Sequence, residues 1–211
     1  IESKRRIVPD EADRMKTFLI KQSGVRLFNS STFFDQFLDT PTLDILKAGA
    51  SLRLRYKGNG SKVYLQYKGP GFHRDGVLYR SEFSSKRLLA VLREESHHDV
   101  VHFTETSVRE ILRSQIDPPM DAALRAHLGS RILARISRGP ILCMYQKEKF
   151  AVDLRSAFLE PSVARVFAFH VNPRGLHALS TFCEYENEIK SESENILAKL
   201  QHVPDLLIFD M

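Results

Sequence analysis

Charged and apolar residues alternate with a period of two in four short stretches of this chain: Glu2 and Lys4 in IESK, Arg53 and Arg55 in SLRLRY, Arg80 and Glu82 in YRSEF, and Glu184, Glu186, Glu188 and Lys190 in CEYENEIK. Successive side chains of a β-strand point to opposite faces. Each stretch therefore predicts a strand with its charges on one side and Leu52, Leu54, Tyr79, Phe83, Tyr185 or Ile189 on the other. An antiparallel sheet with a solvated outer face accounts for any one such strand. Four of them together point to a sheet with one ionic side.

The remaining pattern fills in the elements around these strands. A strand over residues 1–8 meets Pro9 and Asp10, and an amphipathic helix follows in EADRMKTFLIKQSG, with Met15, Phe18 and Leu19 on its apolar stripe and Gly24 as its stop. VRLFNSSTFFDQFLDT reads as a strand ending at Thr40 and Pro41, before one helical turn in TLDILKAG. Residues 51–57 and 62–68 predict a hairpin around Gly58, Asn59 and Gly60, and GlyProGly at 69–71 predicts a turn. Strand 76–83 leads to a capped helix in SSKRLLAVLREES, with further helix in SVREILRSQ and MDAALRAHLGSRIL and Pro118 and Pro119 between them. Strands return in ILCMYQKEKFAV, ARVFAFHV and STFCEYENEIK, and a capped helix follows in SESENILAKLQ. The reading gives eight strands and about five helices, with no internal repeat.

These helices need an apolar surface, and the uncharged sides of the strands are the only large one. With helices there, the ionic side meets either water or another part of the same sheet. Closure of eight antiparallel strands produces the second arrangement, a charged lumen. Periodicity alone leaves closure open. The expected fold is α+β, eight antiparallel strands with helices packed outside, forming one domain over residues 1–211 with a helical insert at about 84–140.

Composition narrows the picture only a little. With 211 residues, 43% of them hydrophobic, the chain can bury one substantial core. Its net charge of +5 favours an anionic partner without naming the anion. Cys143 and Cys183 are the only cysteines, too few for a disulfide framework and in no metal-binding spacing, so the expectation is a reducing cytoplasmic compartment. No apolar run approaches membrane-spanning length and no signal-like segment opens the sequence, so no membrane partner is expected. A first residue of Ile1 rather than Met leads to the expectation of further residues upstream.

FLDTPTLDILKAGASLRLRY, followed by YLQYKGPG and RSEF, closely resembles the signature of the CYTH domain, also called the triphosphate tunnel metalloenzyme family. In that family an FDTP segment precedes an LRLR strand and a LysGlyPro strand end. IESK resembles the end of the family's GluXGluXLys strand, with Glu2 as its second Glu, Lys4 as its Lys and the first Glu falling upstream of Ile1. Glu184, Glu186 and Glu188 resemble its terminal GluXGluXGlu strand, and the likeness spans nearly the whole chain. It departs in two places. Where the family often carries ArgXXTyr on its sixth strand, this chain has Lys147 and Phe150, a point charge in place of a fork. Where an Asp commonly serves the metal on the seventh strand, the expected register offers His170, with Asn172 two residues on, and a lone strand histidine also reads as a hydrogen-bonded wall residue.

The resemblance implies closure of the strands into an eight-stranded antiparallel β-barrel, a tunnel, and it implies roles for the charged set. Arginine forks bind phosphate oxyanions through paired hydrogen bonds, and lysines add mobile point charges. The expected substrate-binding residues are Lys4, Arg6, Arg53, Arg55, Lys68, Arg80, Lys147 and Lys190. Glu2, Glu184 and Glu186 are the expected ligands of Mg²⁺ or Mn²⁺, hard cations that take oxygen donors. Glu188 is expected to orient water or bind a second ion, Lys4 to share the catalytic role, and Glu82 to fix a neighbouring Arg or Lys. The competing reading of the same residues is a set of structural ion pairs between strands.

The function so implied is metal-dependent hydrolysis of triphosphate compounds, with inorganic triphosphate first because it asks only for a charged lumen and a metal. Nucleoside triphosphates and longer polyphosphates are the other partners considered. The family also includes adenylyl cyclases, thiamine triphosphatases, RNA triphosphatases and polyphosphate polymerases, and charge patterning does not separate hydrolysis from cyclisation. A non-catalytic polyphosphate- or nucleotide-binding module is the rival of a different class, favoured by the departures at Lys147 and His170. Nucleic acid is not an expected partner, and a homodimer stays open. His97, His98, Asp99 and His102 match no strong zinc spacing and read as a solvated loop, while Cys143 reads as a packing residue. Tyr56, Tyr64 and Tyr67, near Arg55 and Lys68, read equally as wall residues or stacking platforms.

Overall fold

The computed structural model describes residues 2–57, 63–74, 77–85, 103–114, 116–154, 157–172 and 174–190. The helix expected beyond Ser85, the one in SESENILAKLQ, and the group of His97, His98, Asp99 and His102 lie outside these residues. In chain order the elements are β1 (Glu2–Ile7), α1 (Pro9–Lys21), β2 (Val25–Asp39), the short α2 (Asp44–Lys47), β3 (Ser51–Tyr56), β4 (Val63–Arg74) and β5 (Val77–Ser84). Then come α3 (Glu105–Ser114), α4 (Pro118–Leu133), β6 (Ser137–Leu154), β7 (Ala157–Asn172) and β8 (Gly175–Lys190).

All pairings are antiparallel, and the strands run β1-β5-β4-β3-β2-β6-β7-β8 around a closed barrel, the arrangement the family resemblance implies. The two seams of β1 are unequal. It pairs with β8 from Glu2 opposite Glu188 to Ile7 opposite Cys183, whereas among the described residues it meets β5 at Glu2 opposite Leu78 alone.

Helices cover the outer face because that face is apolar. Leu52, Leu54 and Tyr56 of β3 and Val63, Leu65 and Tyr67 of β4 are completely buried beneath Phe103, Val108 of α3, and Met120 and Leu124 of α4. Each fully buried leucine contributes about 1.5–3 kcal/mol. On the far side α1 lays Ala12, Met15 and Leu19 on Phe150, Val163, Cys183 and Tyr185. Its Pro9 start, with Asp10 and Glu11 in the first turn and Lys21 in the last, suits the helix dipole. Two helices form on either side of residues 115–117 as expected, with Pro118 and Pro119 as the first residues of α4, and Asp117 caps it by accepting a bond from the Met120 N–H at 3.0 Å. Among the described residues no helix is long and apolar enough to cross a membrane.

β4, β6, β7 and β8 all run beyond the stretches expected from sequence, β4 and β7 by the most at any one end. Residues 69–71 make no turn: β4 runs through them to Arg74, with a register shift against β5 between Lys68 and Gly71. A Cβ on Gly69 would stand 2.5 Å from the Ser81 hydroxyl and 3.0 Å from the His127 ring, so β5 and α4 can approach only a glycine there. β7 begins at Ala157, well before ARVFAFHV, because residues 159–164 are buried on both faces and show no alternation.

The link from β2 to β3 sets the entry of the arginine-bearing strand. The buried Asp39 carboxylate accepts bonds from the N–H groups of Thr40 (2.7 Å), Ile45 (2.9 Å) and Leu46 (3.1 Å), holding the start of α2. Thr40 and Thr42 donate to the Asp44 carboxylate at 2.6 and 2.7 Å, and these bonds keep its pKa below the ordinary value.

Candidate active site

The inward faces of the strands enclose a cavity of about 430 Å³. Arg53 and Arg55 of β3, with Lys68, Arg80 and Glu82 of β4 and β5, form one wall. Lys4 of β1, Lys147 and Lys149 of β6, and Glu184, Glu186 and Glu188 of β8 form the other. The period-two pattern thus places its charges inside the barrel.

On the arginine wall the central feature is Asp35 of β2, which is 0% exposed. Both Arg55 Nε and Nη2 donate to its two carboxylate oxygens at 2.7 Å, and Arg53 Nη1 stands 3.0 Å away. Arg53 also donates through Nε to Gln66 at 3.2 Å, and the Arg55 guanidinium lies 4.2 Å from the centre of the Phe33 ring, which stacks on Tyr145. Burial pulls the Arg53 pKa down against the attraction of Asp35. At Arg55 burial acts in the same sense, but the bonds and charge of Asp35 outweigh it and the pKa is raised. Glu82 joins Lys68 (2.6 Å) to Arg80 (3.2 Å); burial works to raise its pKa, yet those two cations hold it below the ordinary value.

The opposite wall is made of lysine–glutamate pairs. Lys4 meets Glu184 at 2.7 Å, Lys147 meets Glu186 at 2.5 Å, and Lys149 meets the buried Glu160 of β7. Burial lowers the Lys147 pKa against the pull of Glu186. Strand register sets Glu188 opposite Glu2 on β1 and opposite Glu160 on β7, one row of three glutamate positions across adjacent strands.

Most of the sequence-predicted residues meet here: Lys4, Arg53, Arg55, Lys68, Arg80, Lys147, Glu184, Glu186 and Glu188 line the one cavity. Glu2 and Lys190 are placed by register alone, opposite Glu188 and Phe158 respectively. Arg6 does not line the cavity; it is exposed, with its guanidinium 4.4 Å from the centre of the Phe182 ring. His170 lies opposite Ile141 and His177 at the far end of β7, and the inward carboxylate of that strand is Glu160 instead. Phe150 is completely buried under α1, away from Lys147 chemistry, and Tyr56 and Tyr67 belong to the outer core. Burial pushes the Cys143 thiol up to about 11, which makes it an inert packing residue.

Asp35, Lys149 and Glu160 were missed by sequence reasoning. Lys149 continues the alternation of Lys147 in YQKEKF and was legible there. Asp35 sits between inward Phe33 and Phe37, a lone acid in an aromatic run whose partners are twenty residues away in sequence. Glu160 was hidden by Pro161 and by the two-sided burial of its strand.

As a metal site, the donor set is chemically suited to a hard divalent cation, because the inward carboxylates of β8 supply oxygen only. Among the described residues no group of three His, Cys, Asp or Glu stands close enough to hold an ion, and the acids of β8 carry lysines.

The profile of the CYTH domain family matches residues 1–140, and the chain belongs to that family. No curated protein sequence matches the chain. Among solved structures, a candidate adenylate cyclase from Bacillus halodurans is similar with a TM-score of 0.52 and 15% identity, covering 100% of this chain and 91% of that one. A candidate adenylyl cyclase from Hippeastrum, described as having a dominant triphosphatase activity, gives a TM-score of 0.53 and 14% identity over 95% of this chain and 83% of its own. At these identities the likeness is one of fold.

Proposed function

We propose that this protein is a triphosphatase: the cavity holds the phosphate chain of a triphosphate compound and, with Mg²⁺ or Mn²⁺, hydrolyses a phosphoanhydride bond. The observation that carries this reading is the enclosed cavity of about 430 Å³ in which guanidinium and ammonium groups converge opposite a row of carboxylates. Inorganic triphosphate is the favoured substrate. It asks only for the charged lining and a cation, and the lining residues that carry charge supply the first of these. Both described cysteines are free and buried, in keeping with a cytoplasmic location.

The residues divide the work by their chemistry. Arg53 and Arg55, held by Asp35, present their remaining N–H groups to phosphate oxygens in a fixed geometry. Lys68, Arg80, Lys4 and Lys147 surround the chain with positive charge and hold its scissile bond in line. Glu184 and Glu186, with Glu2, would hold the divalent cation, and Glu188 would accept a hydrogen bond from the attacking water and so aim it. A bound cation supplies neutralisation of the charge that develops on the transferred phosphoryl group.

Phosphate release from tripolyphosphate, ATP and thiamine triphosphate, with each cation and after chelation, tests the reading against a Glu186→Gln variant. Cation-dependent release from tripolyphosphate that the variant lacks is the expected result. Tight binding without release would make the protein a binding module, and cyclic AMP formed from ATP would make it a cyclase.

A further inference from the structure

Before any ligand enters, the described charges of the cavity nearly cancel. Seven cationic side chains line it against four glutamates, and Asp35 and Glu160 bind some of those cations from behind. A triphosphate chain brings several negative charges, so a nearly neutral cavity attracts it weakly. Something must change that balance on binding.

The lysine–glutamate wall is built to change. Lys147 and Glu186 are each 15% exposed, Glu184 is 16% and Lys4 40% exposed, and in each of the two pairs on β8 an ammonium nitrogen stands against a carboxylate oxygen. An ammonium on a flexible stem can leave such a contact, whereas the double bond of Arg55 to Asp35 fixes that fork. A divalent cation and a polyphosphate would each take one half of the same pair.

Resting on the triphosphate reading, we propose that Lys4 and Lys147 are built-in counter-ions of Glu184 and Glu186, released to the phosphate chain only when a divalent cation takes the carboxylates. Without the cation, a phosphate chain that draws Lys147 away takes that ammonium from the largely enclosed Glu186 and sets an anion beside it. Without the chain, a cation on Glu186 strands Lys147 in the same enclosed space. Each ligand removes the penalty that the other meets, so the two bind with positive coupling. Cation binding here does more than assist chemistry: it turns a balanced cavity into an attractive one.

The test uses single ligands on chelator-treated protein, so that no cation–phosphate complex forms in solution. In calorimetric titration with tripolyphosphate alone, Glu184→Gln and Glu186→Gln are expected to bind more tightly than wild type, by a factor in the range of about 5–150 usual for coupled sites. With Mn²⁺ alone, Lys147→Met and Lys4→Met are expected to bind the ion more tightly than wild type. Thermal melts identify the variants that are folded, and either member of each pair suffices. Folded glutamine variants that bind tripolyphosphate no better than wild type, or methionine variants with unchanged Mn²⁺ affinity, overturn the counter-ion role and leave the triphosphate reading standing. Wild-type protein that binds tripolyphosphate neither alone nor with Mn²⁺ overturns both.

Discussion

Arg55 grips Asp35 through two bonds of 2.7 Å and lies against Phe33, while across the cavity Lys147 meets Glu186 through its ammonium group. Both are oppositely charged pairs inside one barrel, yet they differ in what they can do. The arginine wall is anchored by a carboxylate with 0% exposure, so its donors stay where the fold puts them. The lysine wall is held by point contacts between flexible chains, so its partners can be exchanged. One wall is built to stay fixed and the other to exchange partners.

The largest effect that would break this contrast is at Asp35. Asp35→Ala leaves two guanidinium groups without their buried partner, and a loss of about 3–5 kcal/mol is expected in guanidinium chloride unfolding. Alanine at Arg53 or Arg55 also strands part of that charge, so lysine is the cleaner probe of function. Arg55→Lys gives up the fork and is expected to cut turnover about a hundredfold, on the scale by which misplaced contacts cost rate. Lys147→Arg, which keeps a charge on the exchangeable wall, is expected to cost less; phosphate-release assays on both variants check the ordering.

Glu82 offers a pH test of the first wall. Its folded pKa lies below the ordinary value because Lys68 and Arg80 outweigh burial. Its contribution to stability is therefore complete above the unfolded carboxyl pKa and is lost as pH falls through the folded value. The stability difference between wild type and Glu82→Gln should shrink over that acid range, as read from denaturant midpoints. The smallest effect concerns Cys143: with its pKa pushed up to about 11 by burial, native protein at pH 8 should resist alkylation there, and unfolded protein should not.

The strands that were legible in the sequence are those with one wet ionic face and one dry face. SLRLRY is the clearest, with Leu52 and Leu54 under the helices and Arg53 and Arg55 in the cavity. Closure of the ring was not legible in alternation, which reads the same whether an ionic face meets water or a lumen; the family resemblance supplied that expectation. The early part of β7 was not legible, since burial on both faces erases the period that reveals a strand, and Glu160 was lost with it. Asp35 was hidden for another reason: its importance lies in two partners on the neighbouring strand, and no local spacing encodes that pairing. His170 was left open between a ligand and a wall residue, and register sends it to the other end of its strand from Glu160.

The central claim is that the inward carboxylates of β8 and the basic residues facing them form one site for a divalent cation and a phosphate chain. Anomalous diffraction from crystals grown with Mn²⁺ and tripolyphosphate tests it most directly. The account predicts a manganese peak inside the barrel at Glu184 and Glu186, with phosphate density reaching Arg53 and Arg55. A peak confined to the outer surface, or an interior with Lys147 still on Glu186 and no phosphate beside it, would contradict it.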